Sequence, residues 1–206
     1  MRAEVFRDLI ILLTVFSLIL GFGIFPLFLY ILKPKVNPWK VLYGSLSPAV
    51  AAFFSGDINF TLPVLLRHAK ENFGIRRRSN SVSLALFNTF GRGGSAMVAA
   101  IAFIVIIKSY SSLEITAFDV FSIGIRAFGI SFLLARHPGD GAYIALAVLC
   151  LGYGKNFEAG YLILKPLAFY LVAVGAFLDA IICALGTYAV AHKSGFMEEE
   201  KVVHFI

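Results

Sequence analysis

Ser55-Gly56-Asp57-Ile58-Asn59-Phe60-Thr61-Leu62-Pro63-Val64 is the stretch whose reading decides the fold. It places a polar tip inside an otherwise apolar segment. Val41 to Phe54, mostly apolar, precede it, and Leu62 to Leu66 follow and lead to Arg67 and Lys70. Neither arm reaches the roughly 20 apolar residues that a helix needs to cross a bilayer. The pattern predicts a helical hairpin that enters the membrane, turns at the tip and leaves on the same side. Turn backbone at that depth is tolerated where protein buries it or a water-filled cavity reaches it. Asp57, Ile58 and Asn59 are therefore candidate substrate-binding residues.

The rest of the 206-residue chain supports a membrane setting. It is 59% hydrophobic and 15% charged, with a mean hydropathy of +0.86, which excludes an ordinary soluble domain. The net charge of +6 does not point to nucleic acid, because the basic residues sit in short loops beside apolar runs, as the positive-inside bias requires. Cys150 and Cys183 lie in apolar segments and predict buried thiols rather than a disulfide framework. Leu9 to Leu32 is too long for a signal-peptide core and is followed by Lys33 and Lys35 rather than a small-residue cleavage site.

The whole chain, 1–206, reads as one membrane domain of transport type. Residues 9–32 form a spanning helix that Gly21, Gly23 and Pro26 can bend. Asn37-Pro38-Trp39 reads as a helix start, and 38–74 form the first re-entrant hairpin, with both ends on the basic side marked by Lys33, Lys35, Lys40, Arg67, Lys70 and Arg76 to Arg78. Residues 79–108 form a spanning helix broken at Gly91-Arg92-Gly93-Gly94-Ser95. Residues 116–152 form a second hairpin, interrupted at Arg136 to Gly141 and entering from the opposite face. Residues 159–192 form one long spanning helix with Pro166 near its start and Asp179 inside, and 193–206 a cytoplasmic tail. The expected fold class is an all-α membrane protein, spanning helices plus two oppositely oriented re-entrant hairpins. Such an inverted repeat is how secondary transporters are built, with the site near the midplane where discontinuous pieces meet.

From about Leu9 to Gly195 this order resembles the dicarboxylate/amino acid:cation symporter family, the glutamate transporter fold. The resemblance rests on Thr61-Leu62-Pro63-Val64, Arg67, Ala69-Lys70-Glu71 and Gly74-Ile75, and on Pro138-Gly139 with Gly141-Ala142. It implies a transport domain lacking its scaffold, and sodium symport of dicarboxylates or amino acids. It also implies a substrate role for the backbone at Gly141, and matches Asp179 and Thr187 to family positions on the last helix. Thr89 and Ser131, with the neighbouring Phe132, match positions that lend oxygens to a sodium ion. The chain departs from the family where substrate and sodium ligands are usual. The first tip lacks the serines, Gly91-Arg92-Gly93-Gly94-Ser95 stands for Asn-Met-Asp-Gly-Thr, Cys183 and Gly186 stand for an Asp and an Arg, and Val190 and Ser194 for an Asn and an Asp.

Arg92 is the sharpest single residue. Arginine stays protonated, and at the centre of a spanning helix it costs about 2.5–3.5 kcal/mol. It must face a cavity or an acid, with Asp57, Asp140 and Asp179 as candidate partners. It either acts as a fixed internal cation or binds a substrate anion, or else forms a structural ion pair. Ser95 and His137 complete the candidate substrate set, and His137 could titrate near neutral pH. No zinc spacing, phosphate loop or nucleophile–base pair is present, so no enzyme is expected. The expectation is a cation-coupled secondary transporter of small organic acids or amino acids, with no cofactor and Na+ or H+ as coupling ion. The alternative is a non-transporting remnant or accessory subunit of a split transporter. Expected partners are the substrate, the bilayer and a separate scaffold polypeptide or a homo-oligomer, without nucleic acid. The expected location is the plasma (inner) membrane, multi-pass, with the C-terminus cytoplasmic.

Overall fold

The computed structural model describes residues 2–32, 37–110, 115–134, 139–154 and 157–197. Arg136, His137 and Pro138 of the second hairpin tip and residues 198–206 of the tail lie outside the described residues. Three helical runs are long and apolar enough to cross a membrane, Glu4–Ile31, Arg77–Ser109 and Gly160–Lys193. The two hairpins fall outside these runs, in keeping with their polar tips.

The first run is α1 (Arg2–Leu18), a π-helical stretch Ile19–Ile24, and α2 (Phe25–Leu32). Pro26 has no N–H to give and crowds the carbonyl four residues back. The turn before it widens to π geometry, a common form of relief inside a helix. This is where the sequence places a bend.

The first hairpin is α3 (Pro38–Ser55) and α4 (Ile58–Glu71), packed on one another. Asn37 caps α3 by accepting from the Trp39 amide at 3.0 Å, with Pro38 in the first turn where no N–H is required. Gly56 ends α3 in the left-handed region at φ 67°, a conformation that glycine adopts without penalty. Asp57 at once caps α4, accepting from the Asn59 amide at 2.8 Å. The polar tip is therefore a tight turn of Gly56 and Asp57, and Ile58 to Val64 already belong to α4.

The second run consists of α5 (Arg77–Phe90) and α6 (Gly93–Tyr110). The break is narrower than the glycine pattern suggests. Only Gly91 and Arg92 leave the helix, while Gly93, Gly94 and Ser95 form the first turn of α6. The second hairpin is α7 (Ala117–Leu133), started by a reciprocal capping box of Thr116 and Asp119, and α8 (Gly141–Tyr153). The last run, expected as one long helix over 159–192, does not begin as a regular α-helix. Gly160–Leu167 is a 3-10 segment, and α9 (Ala168–Lys193) follows it. Pro166, which cannot donate to an α-helical bond, lies in the irregular part.

The 26-residue α9 is the axis of the structure, packing against α3, α4, α5, α6 and α8. It is apolar almost all round, as a helix enclosed by others must be. Two apolar clusters share it. One joins Val174 and Leu178 to α1, α6, α7 and α8. The other joins Ala176, Ala180, Cys183 and Ala184 to α3, α4 and α5. Beyond α9 the chain folds back, the Arg76 amide donates to the Phe196 carbonyl at 3.1 Å, and Ile75 bridges Met197. The end of α9 is thereby tied to the loop that leaves the first hairpin.

Candidate functional site at the helix break

Asp179 lies on α9 between the two apolar clusters and is fully buried. Ser95, in the first turn of α6, serves both of its oxygens. The Ser95 amide donates to Oδ1 at 3.1 Å and the hydroxyl to Oδ2 at 2.6 Å. The Gly94 amide also faces this carboxylate. The N-terminal end of a helix carries unsatisfied N–H groups and partial positive charge, and here an anion meets it. The approach requires glycine. A Cβ on Gly94 would lie 2.5 Å from Leu178 Cβ and 2.8 Å from the Asp179 nitrogen, and one on Gly175 would lie 2.9 Å from Ser95 Oγ.

Arg92 is 3% exposed. Its Nε donates to the Asn88 carbonyl at 3.4 Å, in the last turn of α5. It forms no direct ion pair with Asp57, Asp140 or Asp179 among the described residues, although its charge reaches Asp179. Asp57 is engaged in capping α4, and Asp140 is exposed, at φ 44° before α8. The other side of the guanidinium faces the start of the second hairpin's return arm. Nη1 is 3.5 Å from where a Cβ of Gly141 would stand, and Ser95 Oγ is 3.4 Å from it. Asp140 gives the first turn of α8 no side-chain cap. A buried guanidinium and an uncapped helix start therefore adjoin, and both are donors.

A polar chain leads from the first hairpin to the same place. Asp57 Oδ1 accepts from the side chain of Asn59 at 3.0 Å, and Asn59 Oδ1 accepts from Asn88 Nδ2 at 2.6 Å. Asn88 is then one turn from Arg92 and supplies its carbonyl. Sequence reasoning missed Asn88, whose signal was an amide side chain within the apolar run before the glycines. Gly56 touches Val172 and Ala142 touches Gly175, so the tip of the first hairpin and the start of α8 reach the same stretch of α9.

The other expected site residues are distributed around this centre. Ile58 is buried in the apolar cluster of the first hairpin. Thr187 is buried on α9 two turns beyond Asp179, with the Cys183 thiol one turn before it as the neighbour of its hydroxyl. The hydroxyls of Thr89 and Ser131 bond back to the carbonyls of Ala85 and Phe128 within their own helices, and Phe132 is partly exposed on α7. His137 lies outside the described residues. Beside Gly186 the protein is apolar. Phe87 occupies the space above that glycine, where a Cβ would lie 2.6 Å from its ring. The ring also lines a cavity of about 380 Å³ with Phe25, Phe28, Ile182 and Val190. Among the described residues no three acidic, imidazole or thiol groups cluster as metal ligands.

An all-helical core with three membrane-length runs, one of them broken beside two buried charges of opposite sign, is that of an integral membrane protein. The sequence profile of the sodium:dicarboxylate symporter family matches residues 4–193, and the chain belongs to that family. It is similar to the neutral amino acid transporter A of Homo sapiens, 28% identical over 152 residues, which is 69% of this chain and 28% of the relative. It is also similar to excitatory amino acid transporter 1 of Homo sapiens, 28% identical over 121 residues, covering 59% of this chain and 22% of that one. For the neutral amino acid transporter B(0) of Homo sapiens the identity is 28% over 129 residues, 63% and 23% of the two chains. The chain thus matches little more than a quarter of the length of the first of these relatives. All three are named as transporters rather than enzymes.

Proposed function

We propose that this chain is the substrate-carrying core of a secondary transporter for small amino acids or organic acids, with its site at the α5–α6 break. One observation carries the reading. The turn of the first hairpin at Gly56 and the start of α8 at Gly141 and Ala142 converge on the α5–α6 break and the adjoining stretch of α9, where Arg92, Ser95 and Asp179 are buried. In this reading both hairpins are re-entrant from opposite faces, which makes the two halves an inverted repeat around a midplane site. The basic loops, including Arg76 to Arg78, lie on the cytoplasmic side of a plasma membrane and put the C-terminus there too. The core works against a scaffold formed by other helices.

A substrate carboxylate would meet two kinds of donor at the break, the Nη groups of Arg92 and the uncapped first turn of α8 at Gly141. Asn59, through Asn88, and Ser95 and Asp179 would frame the remaining polar contacts, with Thr187 offering a buried hydroxyl from α9. Among the described residues Arg92 is the one buried guanidinium, and with the apolar surroundings at Gly186 this favours a substrate with one carboxylate over a dicarboxylate. The named activity of two relatives, neutral amino acid transport, accords with that preference.

The test is thermal stabilisation of the purified chain in detergent, screened against alanine, serine, aspartate and malate. Ligand that binds only the folded state adds about 2.7 kcal/mol at a hundredfold excess over its Kd. A saturable shift with a monocarboxylate amino acid, larger than with malate, is the expected result. A folded chain with no shift for any ligand would replace this reading by that of a non-transporting accessory subunit.

A further inference from the structure

The two helix ends opened by the break are each met by a charge of opposite sign that belongs to the chain itself. The C-terminal end of α5 carries unsatisfied carbonyls and partial negative charge, the kind of place where a broken membrane helix holds a soluble cation. Here the Arg92 side chain folds back over it and gives Nε to the Asn88 carbonyl at 3.4 Å. The N-terminal end of α6 carries partial positive charge, and Asp179 receives its Ser95 amide at 3.1 Å and the Ser95 hydroxyl at 2.6 Å. Among the described residues these two are the buried side chains of formal charge, one of each sign. The break is electrically complete without an added ion.

We infer that Arg92 is a tethered cation that occupies the place of a coupling ion at the end of α5, so that this site binds no sodium and its substrate binding does not depend on sodium. The inference rests on the reading of the break as the transport site. A second positive charge beside a buried guanidinium would be repelled in surroundings that screen poorly. The same arginine, with its Nη groups turned toward Gly141, neutralises an incoming carboxylate as a co-bound cation would. The side chain is carried through the cycle rather than bound and released.

The test uses the whole chain in detergent, with NaCl replaced by choline chloride at constant ionic strength. Thermal unfolding is followed for wild type, Arg92→Met and Arg92→Lys. Wild type should show no saturable sodium-specific stabilisation. Arg92→Met, which vacates the α5 carbonyls, should gain one, and Arg92→Lys, which keeps the charge, should not. A sodium-specific shift in wild type overturns the inference. So does the lack of any sodium gain in a folded Arg92→Met. If that variant does not fold, the wild-type titration still decides, repeated with the amino acid that stabilises best. Equal ligand shifts in sodium and choline uphold the inference, and a shift seen only in sodium overturns it while leaving the proposed transport function standing. Absence of every ligand shift, with wild type insensitive to sodium, rejects the transport function, and the inference, which rests on it, falls with it.

Discussion

Removing the Ser95 hydroxyl is the cleanest probe of the site. Ser95→Ala deletes one oxygen, leaves the helix propensity of α6 intact, and keeps the backbone donor that reaches Asp179 Oδ1. What is lost is the 2.6 Å bond to Oδ2 between groups that are 3% and 0% exposed. A hydrogen bond to a charged group contributes about 1.5–3 kcal/mol. For a domain of this length 1 kcal/mol moves the midpoint by about 2–4 °C, so the expected fall is roughly 3–12 °C. Asp179→Asn keeps the shape but removes the charge that balances Arg92. Uncompensated buried charge costs about 3–5 kcal/mol in a direct pair. The effect here should be at the lower end, because Arg92 and Asp179 are not in direct contact. The two substitutions act on one bond, so the double variant should be less destabilised than their sum, by about 1–2 kcal/mol. Denaturant or thermal unfolding of the four proteins in one detergent measures this. Additivity within about 0.5 kcal/mol would show that the hydroxyl and the carboxylate do not cooperate, and would refute the account of the α6–α9 junction.

Glycine substitutions separate close packing from helix propensity. Gly94→Ala puts a methyl 2.5 Å from Leu178 Cβ, where neither side can swing away, and should cost about 1–3 kcal/mol in the same unfolding assay. Gly124→Ala in α7 meets nothing within 4 Å and should be neutral or stabilising by up to about 1 kcal/mol. Asn59→Ala removes the acceptor of Asn88 Nδ2 at 2.6 Å and should cost about 1–3 kcal/mol through the unsatisfied amide. It should also weaken ligand-induced stabilisation, since Asn88 supplies the carbonyl that holds Arg92.

Features with a local cause were legible in the sequence. Asn37-Pro38-Trp39 starts a helix, Gly56 ends one, and Pro26 sits just after a widened turn, each for reasons confined to a few residues. The glycine cluster located the break but overstated its width. Gly93 and Gly94 do not unwind the chain. Gly94 lets α6 lie against α9, a tertiary demand that composition cannot distinguish from flexibility. Asp57 illustrates a second ambiguity. Asp and Asn favour polar sites and also cap helices with their own side chains, and the structure uses Asp57 for the cap. The charge of Arg92 required neutralisation, and that much could be argued from the residue alone. Its neighbours could not be named in advance, because the guanidinium turns back four residues to a carbonyl rather than forward to an acid.

The magnitudes explain why an arginine can remain in a spanning helix without a salt bridge to any of the described residues. Its presence in a spanning helix costs about 2.5–3.5 kcal/mol. A charge-assisted bond to the Asn88 carbonyl offsets about 1.5–3 kcal/mol. The C-terminal end of α5 adds about 0.3–1 kcal/mol, and up to about 2 in a partly buried geometry. These two terms nearly cancel the cost before the more distant Asp179 is considered. The residual donors, the Nη groups near Gly141, are then not needed for stability. Among the described residues they meet no acceptor, which is a condition a substrate site must meet. A structural ion pair would instead have saturated both ends of the guanidinium. The described residues contain no such pair, and on this ground a role for Arg92 as a fixed internal cation or an anion site is favoured over a structural ion pair.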